Sequence, residues 1–361
     1  MISHQIIQKS IEDLKRITKV ELSVFDPEGS KICSTTEEEY ADREIVRYFT
    51  DSMADTQEAD GVYYMKVKEE GKDCYILTAK SPVQETHMIA KIAVSQLEAL
   101  LVAYREKYDR NNFFQNLILD NLLLVDIYNK AKTLHLEVER KRIVYLIETK
   151  ADRDQEALEL LRSLFSQQNG DFVTSVDEKS FVLIKSLKEK DEEEDICHIA
   201  DTIVDMMNTE AMMRVKVSYG TVVKELREVS KSYKEAKMAL DVGKIFYVQK
   251  NVIGYGNLGI GRLIYQLPVN LCKMFMKEIF GENLPKEMDE EVLTTVEKFF
   301  ENSLNISETA RQLYIHRNTL VYRIEKLQKE TGLDIRNFED ALTFKIALMV
   351  VSYLDYLEKN N

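Results

Sequence analysis

The sequence predicts a multidomain α+β protein in three parts: a small N-terminal α+β module, a ferredoxin-like middle domain and a C-terminal all-α domain. Three observations predict it: strand-and-turn patterns over the first 80 residues, a βαββαβ order from residue 141, and almost unbroken helical periodicity after Pro268. The 361 residues suffice for two or three domains, and with 45% hydrophobic and 31% charged residues each can bury an ordinary core, which excludes a disordered chain or a fibrous repeat. The 49 basic residues stand against 62 acidic ones, a net charge of −13. That balance argues against a protein coated with nucleic acid, yet leaves room for one local basic surface.

The first module opens with the helical spacing Ile6, Ile7, Ile11, Leu14, followed by the alternating Val20, Leu22, Val24 and the turn Asp26-Pro27-Glu28-Gly29, which returns into a short strand near Ile32. VYYMKVKE and DCYILTA then flank the turn Glu70-Gly71-Lys72 as a hairpin. After Pro82, Ile89, Ala93, Leu97, Leu100, Tyr104 and Tyr108 lie on one face of a helix of roughly 25 residues, which needs a partner: either a second copy of itself or a surface it packs against.

In the middle domain KRIVYLIET reads as a strand, residues 153–166 as a helix, DFVTSV and SFVLIKS as strands joined at Asp177-Glu178-Lys179, ICHIADTIVDMM as a helix and VKVSYGTVV as a strand. This order closes an antiparallel sheet with both helices on one face. KEKDEEED reads as a solvated loop before a helix, and SYKEAKMALDVGKIF as a further amphipathic helix. Helices follow at 269–280, 289–302, 307–314, 317–330 and 338–357, broken at Gly281, Pro285 and Gly332. The expected domains are therefore 1–112, including the long connecting helix, 113–267, and 268–361.

Residues 305–331 carry the function. Ser307 is placed to cap a short helix that buries Ile306, Ala310 and Leu313; a second helix from Arg317 buries Leu320, Ile324 and Leu327, with Ile315 in the corner. Two short amphipathic helices across a tight turn make a helix-turn-helix. His316, Arg317, Asn318, Thr319, Tyr322 and Arg323 are expected on the face away from the core, in the first two turns, where a recognition helix enters the major groove. Arg pairs with guanine and Asn with adenine through two hydrogen bonds each, so Asn318 and one Arg are candidate base readers. Ser307, Thr309 and Arg311 on the first helix and Lys326 on the second complete the surface expected to meet double-stranded DNA. Between residues 311 and 329, Arg311, Arg317, Arg323, Lys326 and Lys329 face Glu325 alone, a local charge of +4.

The string I-H-R-N-T-L-x-Y-R-I-x-K-L, preceded by N-x-S-E-T-A-R-x-L and followed by G-L-D-x-R-x-F-x-D-A-L, resembles the C-terminal helix-turn-helix of bacterial PucR-type regulators, and within them the carbohydrate (sugar) diacid regulator group. The resemblance extends over roughly residues 113–357. It implies a sequence-specific transcription factor whose middle domain is a degenerate GGDEF-like relative of nucleotide cyclases and whose N-terminal region senses a small acid. Residues 1–112 hold only Gly29, Gly61 and Gly71 and lack the Gly- and His-containing segment of that family's sensor, so the family's ligand does not carry over; Arg43, Arg47 and His87 could meet an anionic ligand, but exposed basic residues are commonplace. A regulator of this kind is expected to be a homodimer.

Other signals argue against chemistry. The turn Val176 to Phe181 lacks the glycine pair a nucleotide cyclase needs, so Asp177 and Glu178 read as turn residues and no catalytic residue is expected. Gly254-Tyr255-Gly256-Asn257-Leu258-Gly259 matches a dinucleotide fingerprint by letter, but it comes after only a two-residue apolar stub outside any βαβ unit, so it reads as a loop. Cys33, Cys74, Cys197 and Cys272 are too far apart for a metal knuckle and read as reduced thiols, Cys197 facing a core; no metal or cofactor is expected. The polar start and the absence of a run of about 18 apolar residues suggest a cytoplasmic protein with no membrane partner. The same chain also admits two other readings, a nucleotide-cyclase-related enzyme and a protein-binding signalling module.

Overall fold

The computed structural model describes residues 3–82, 85–149, 155–165, 170–177, 179–281 and 290–360. The chain forms two compact units, Met1–Phe114 and Gln115–Asn361. The first contains α1 (His4–Thr18), β1 (Glu21–Phe25), β2 (Lys31–Ser34), α2 (Arg43–Asp51), β3 (Thr56–Ala59), β4 (Val62–Glu69), β5 (Lys72–Lys80) and most of α3 (Thr86–Ile118). Its antiparallel sheet has the order β2-β1-β5-β4-β3.

Strand alternation sorts the side chains of this sheet to two faces. Met65, Val67, Leu77 and Ala79 pack with Ile7 and Ile11 of α1 and with Ala90, Ala93, Leu97 and Leu101 of α3. Val62, Tyr64 and Ile76 pack with Val46 and Phe49 of α2. The face expected on α3 is thus used inside its own unit, except that Tyr108 is 70% exposed. By length and composition α3 is also long and apolar enough to cross a membrane. A helix that covers a sheet passes the same test.

The second unit continues with α4 (Leu124–Thr133), β6 (Glu139–Thr149), α5 (Gln155–Leu164), β7 (Phe172–Ser175), β8 (Ser180–Ser186), α6 (Glu193–Thr209), β9 (Val215–Tyr219), β10 (Val223–Glu225), α7 (Val229–Phe246) and β11 (Val252–Gly254). The sheet runs β11-β9-β6-β8-β7. Its β9-β6-β8-β7 portion is antiparallel throughout and is the ferredoxin-like closure the element order predicts. Ala157 and Leu161 of α5 and Ala200, Ile203 and Met207 of α6 share one core with Ile143, Tyr145, Ile147, Leu183 and Val217 of the strands. α7 also lies against β6 and β9.

The segment VKVSYGTVV is not one strand. It breaks after Tyr219 into β9 and β10, both paired with β6, through Tyr219 opposite Tyr145 and Val223 opposite Arg142. The cause is the closeness of α7: a Cβ on Gly220 would stand 2.0 Å from the Ser232 carbonyl oxygen. At the break the Ser232 hydroxyl accepts from the Val144 N–H at 3.1 Å and donates to the Thr221 carbonyl at 2.8 Å, so the interrupted ladder keeps its buried polar groups paired. The stub before the Gly254 fingerprint also needs correction. It is the strand β11, parallel to β9, and α7 makes the crossover between them. β11 leads into a single 3-10 turn, Tyr255–Asn257, rather than a helix. Gly254 serves packing, because a Cβ there would come within 2.5 Å of the Tyr219 ring. At the β7–β8 turn, Asp177 accepts from the Lys179 N–H at 2.8 Å, the expected turn bond, while Glu178 lies outside the described residues. Cys197 packs at the edge of the α5–α6 core, its sulfur 3.0 Å from the Tyr219 hydroxyl; all four cysteines are free.

The remaining helices are α8 (Gly261–Tyr265), α9 (Val269–Phe280), α10 (Glu290–Glu301), α11 (Ile306–Gln312), α12 (Arg317–Thr331) and α13 (Phe338–Asn360). The break expected at Pro285 lies outside the described residues. These helices close one core with Ile245 of α7, around Phe280, Phe299, Leu320, Ile324, Leu327 and Phe344. On α13 the buried stripe is Ala341, Phe344, Ala347, Val350, Tyr353 and Leu354. Leu342, off that stripe, is 40% exposed. Asp340 accepts from the Asp334 N–H at 3.0 Å and so closes the preceding loop, while the Asn337 side-chain oxygen accepts from the Glu339 N–H at 3.4 Å at the start of α13.

Gly220→Ala should lower stability by about 1–3 kcal/mol through the forced shift of α7, and Ser232→Ala by about 1–3 kcal/mol through the unpaired Val144 N–H. Gly256→Ala, where a Cβ meets nothing within 4 Å, should stay within about 0.5 kcal/mol. Urea midpoints at unchanged slope measure all three; equal midpoints for Gly220→Ala and Gly256→Ala would refute the close-crossing account.

Candidate DNA-binding surface

α11 begins at Asn305, whose side-chain oxygen accepts from the Glu308 N–H at 3.1 Å. The cap is therefore Asn305 and not Ser307, which is exposed one position inside the helix. Ala310 is buried, and its small side chain lets α12 cross close by. Thr309 is fully buried and its hydroxyl donates to the Asn305 carbonyl at 2.7 Å, so the structure removes it from the expected DNA surface. The chain reverses through Tyr314, which adopts a left-handed φ of 55° and is 96% exposed. α12 then starts at His316, whose Nδ1 accepts from the Asn318 N–H at 3.2 Å; its ring caps the helix in addition to lying on the surface. Leu320, Ile324 and Leu327 anchor α12 in the core.

Arg317, Asn318, Thr319 and Tyr322 are exposed in the first two turns of α12, and no hydrogen bond or ion pair engages their side chains among the described residues. They form the free face the spacing predicts. Arg323 does not join them. At about 100° per residue it falls only roughly 60° from the Leu320–Ile324–Leu327 stripe, on the flank facing α10. There its guanidinium donates to the Thr295 hydroxyl at 3.0 Å and pairs with Glu291, and only 20% of its side chain is exposed. The same wheel, drawn on the sequence, would have separated Arg323 from Asn318 and Tyr322. It would also have added Lys329, exposed on the Asn318–Tyr322 side two turns further on. Tyr314 carried no comparable signal.

The local charge is smaller than the count of +4 suggests. Arg311 pairs with Glu308 at 2.5 Å and Lys326 lies 3.8 Å from Glu330, and both carboxylates stand just outside the counted window. The hydrogen bond from Arg311 holds the Glu308 carboxyl down to about 2. Arg317 and Lys329 are the cations of this stretch without an ion pair among the described residues. The surface thus offers exposed, unpaired polar side chains on α12 beside a rim of exposed ion pairs. Among the described residues no group of three or more His, Cys, Asp or Glu side chains is placed to hold a metal ion.

Known proteins carry the same parts. Residues 292–350 match the PucR C-terminal helix-turn-helix domain and residues 121–242 match a GGDEF-like domain. The purine catabolism regulatory protein of Bacillus subtilis is 27% identical over 256 residues, 66% of this chain and 48% of that protein, so the chain spans about half the length of this relative. The carbohydrate diacid regulator of Escherichia coli is 22% identical over 73% of this chain and 71% of its own length. The proline-responsive transcriptional activator of Bacillus subtilis is 30% identical over 38% of this chain and 34% of its own. The chain thus carries a GGDEF-like domain followed by a PucR-type helix-turn-helix, and the relatives it resembles over these parts are transcriptional regulators.

Proposed function

We propose that the protein is a sequence-specific DNA-binding transcriptional regulator, acting in the cytoplasm as a homodimer and governed by a small molecule that binds its N-terminal module. The observation that carries this reading is the free face of α12: Arg317, Asn318, Thr319 and Tyr322 exposed in its first two turns while Leu320, Ile324 and Leu327 fix the helix from behind. In the proposal Arg317 and Asn318 read bases, Thr319 and Tyr322 fill the groove beside them, and Ser307, Arg311, His316 and Lys326 approach phosphates. Arg323 is a positioning residue that ties α12 to α10. A two-fold pair would set two such helices about 34 Å apart on a near-palindromic site.

The middle domain serves in this proposal as a non-catalytic scaffold. Its β7–β8 turn offers no glycine pair to approach a phosphate, and Asp177 is engaged by the turn itself.

Duplexes selected by the protein from random DNA provide the test. Asn318→Ala should weaken binding to the selected site by about 1–3 kcal/mol and relax preference at one base pair. Lys326→Ala should weaken all sequences alike and lower the slope of log affinity against log salt by about one. Arg323→Ala should lower the melting temperature and reduce affinity by the same factor on every sequence. Wild-type affinity and preference in Asn318→Ala would sink the assignment of α12 as the reading helix.

The Glu308–Arg311 pair gives a second test. A carboxyl whose pKa is depressed on folding contributes stability above its ordinary value near 4.5, and that contribution is lost as pH falls toward about 2. Carboxyl chemical shifts of Glu308 should titrate near 2 in the wild type and move back toward 4.5 in Arg311→Ala; an unchanged midpoint would show that the pair does not form in solution.

A further inference from the structure

We propose that the N-terminal module binds a free α-amino acid, a zwitterion rather than a dicarboxylate, in the cleft between the β1–β2 hairpin and the start of α2. This rests on the reading of that module as the sensor of the regulator, and it names the chemical class of the effector.

The cleft has a volume of about 730 Å³, within the range of roughly 300–1,000 Å³ typical of small-molecule sites. Its floor is neutral and hydroxylic. Ser23, only 3% exposed, has its hydroxyl 2.9 Å from that of Ser34 and 3.0 Å from that of Tyr40, which in turn donates to the Thr78 carbonyl at 3.3 Å. Burial pushes the Tyr40 hydroxyl above its ordinary range, so this floor stays uncharged at physiological pH. Gly29 holds the hairpin close over the opening of α2: its φ is +84°, and a Cβ there would lie 3.0 Å from the Arg43 carbonyl oxygen.

The rim decides the ligand's charge. Five charged residues line the cleft, Lys31, Arg43, Glu38, Glu39 and Asp42, for a net charge of −1. Lys31 is already answered by Glu39 at 3.4 Å. Arg43 has no ion pair among the described residues, and its one hydrogen bond is a long one, 3.5 Å, to the Ser30 hydroxyl. Its planar fork is open to receive a carboxylate through two parallel hydrogen bonds. Of the acidic groups, Asp42 spends one oxygen on the Glu44 N–H at 2.7 Å to cap α2 and keeps the other, while Glu38 has no cationic partner among the described residues. One open guanidinium beside two open carboxylates complements a carboxylate and an ammonium held on the same small molecule. A sugar diacid would bring two negative charges to a rim with one open cation and a net negative field, and like charges at such range are unfavourable.

Calorimetry and thermal shift on the full chain, without DNA, test the proposal using each of the twenty common L-amino acids, glucarate and succinate as probes. At least one amino acid should raise the melting temperature, since a ligand that binds only the folded state stabilises it, while glucarate and succinate should not. Arg43→Ala should weaken that amino acid at least about tenfold, as loss of a charged hydrogen-bond pair does. Glu38→Gln combined with Glu39→Gln frees Lys31 and removes two negative charges. This variant should lose affinity for the amino acid and begin to bind glucarate. Silence across all twenty amino acids, a wild-type shift with glucarate, or unchanged amino-acid binding in Arg43→Ala would each overturn the inference. Gel shifts on the same preparations keep the two readings separate: DNA binding with no amino-acid binding removes the effector class and leaves the regulator standing.

Discussion

The close crossing of α7 over the middle sheet is the constraint on which the second unit depends. Gly220 admits the helix backbone where any side chain would collide, and Ser232 repairs the ladder that the crossing interrupts. The same helix carries Ser218's bond to the Ala236 carbonyl at 2.8 Å and the Lys244–Glu148 pair at 2.5 Å on the sheet side. At its far end Ile245 enters the core that seats Leu320 and Ile324 of α12, and Asp241 accepts from the Tyr265 hydroxyl at 3.0 Å. One rigid element is therefore shared between a sheet core and a helical core. α12 is not carried on a loose appendage; its orientation is referred back to β6 and β9 through α7.

That sharing explains why the boundary expected near residue 267 is not a seam between compact bodies. Pro268 does end a helical turn and start α9, and composition changes there, but burial does not. Packing across sequence-distant elements is invisible to local periodicity. Legibility obeyed the same rule elsewhere. The βαββαβ order was legible because each strand and helix buries a full face, and period 2 or 3.6 then shows in the letters. β11 was too short to announce itself. β3 had a signal that went unused: Asp60-Gly61, with φ of 53° and 74°, is the Asp-Gly turn most typical of a tight hairpin. α2 was hidden because its half-buried face shows only Val46 and Phe49.

On α12 the spacing in the sequence anticipated most of the exposed face, Arg317, Asn318, Thr319 and Tyr322, and it failed where a second helix intervenes. Ser307 and Thr309 show the limit well. Both are polar, both sit at the start of α11, and either could cap it by residue type. The structure gives the cap to Asn305 and buries Thr309 against its carbonyl, because the buried Ala310 beside it fixes which way the helix turns. Arg323 failed for another reason: its angular position was computable, but its partners Glu291 and Thr295 lie about thirty residues upstream in α10.

Electrostatics link the two surfaces. A chain of −13 could carry the proposed DNA-reading helix because distant charges are damped within about 8–10 Å at physiological ionic strength. What a phosphate meets is therefore set by the nearest turns, where Arg311 and Lys326 are each answered by a carboxylate three or four residues away. Such exposed pairs are individually weak, so in the proposed complex phosphate would take over the cation at small cost. The rim of the N-terminal cleft uses the same element with the opposite outcome. Lys31 is neutralised by Glu39, Arg43 is left open, and the surplus carboxylates would turn away a second negative charge. In both proposals selectivity would come less from the number of cations than from which of them a neighbouring carboxylate has already claimed.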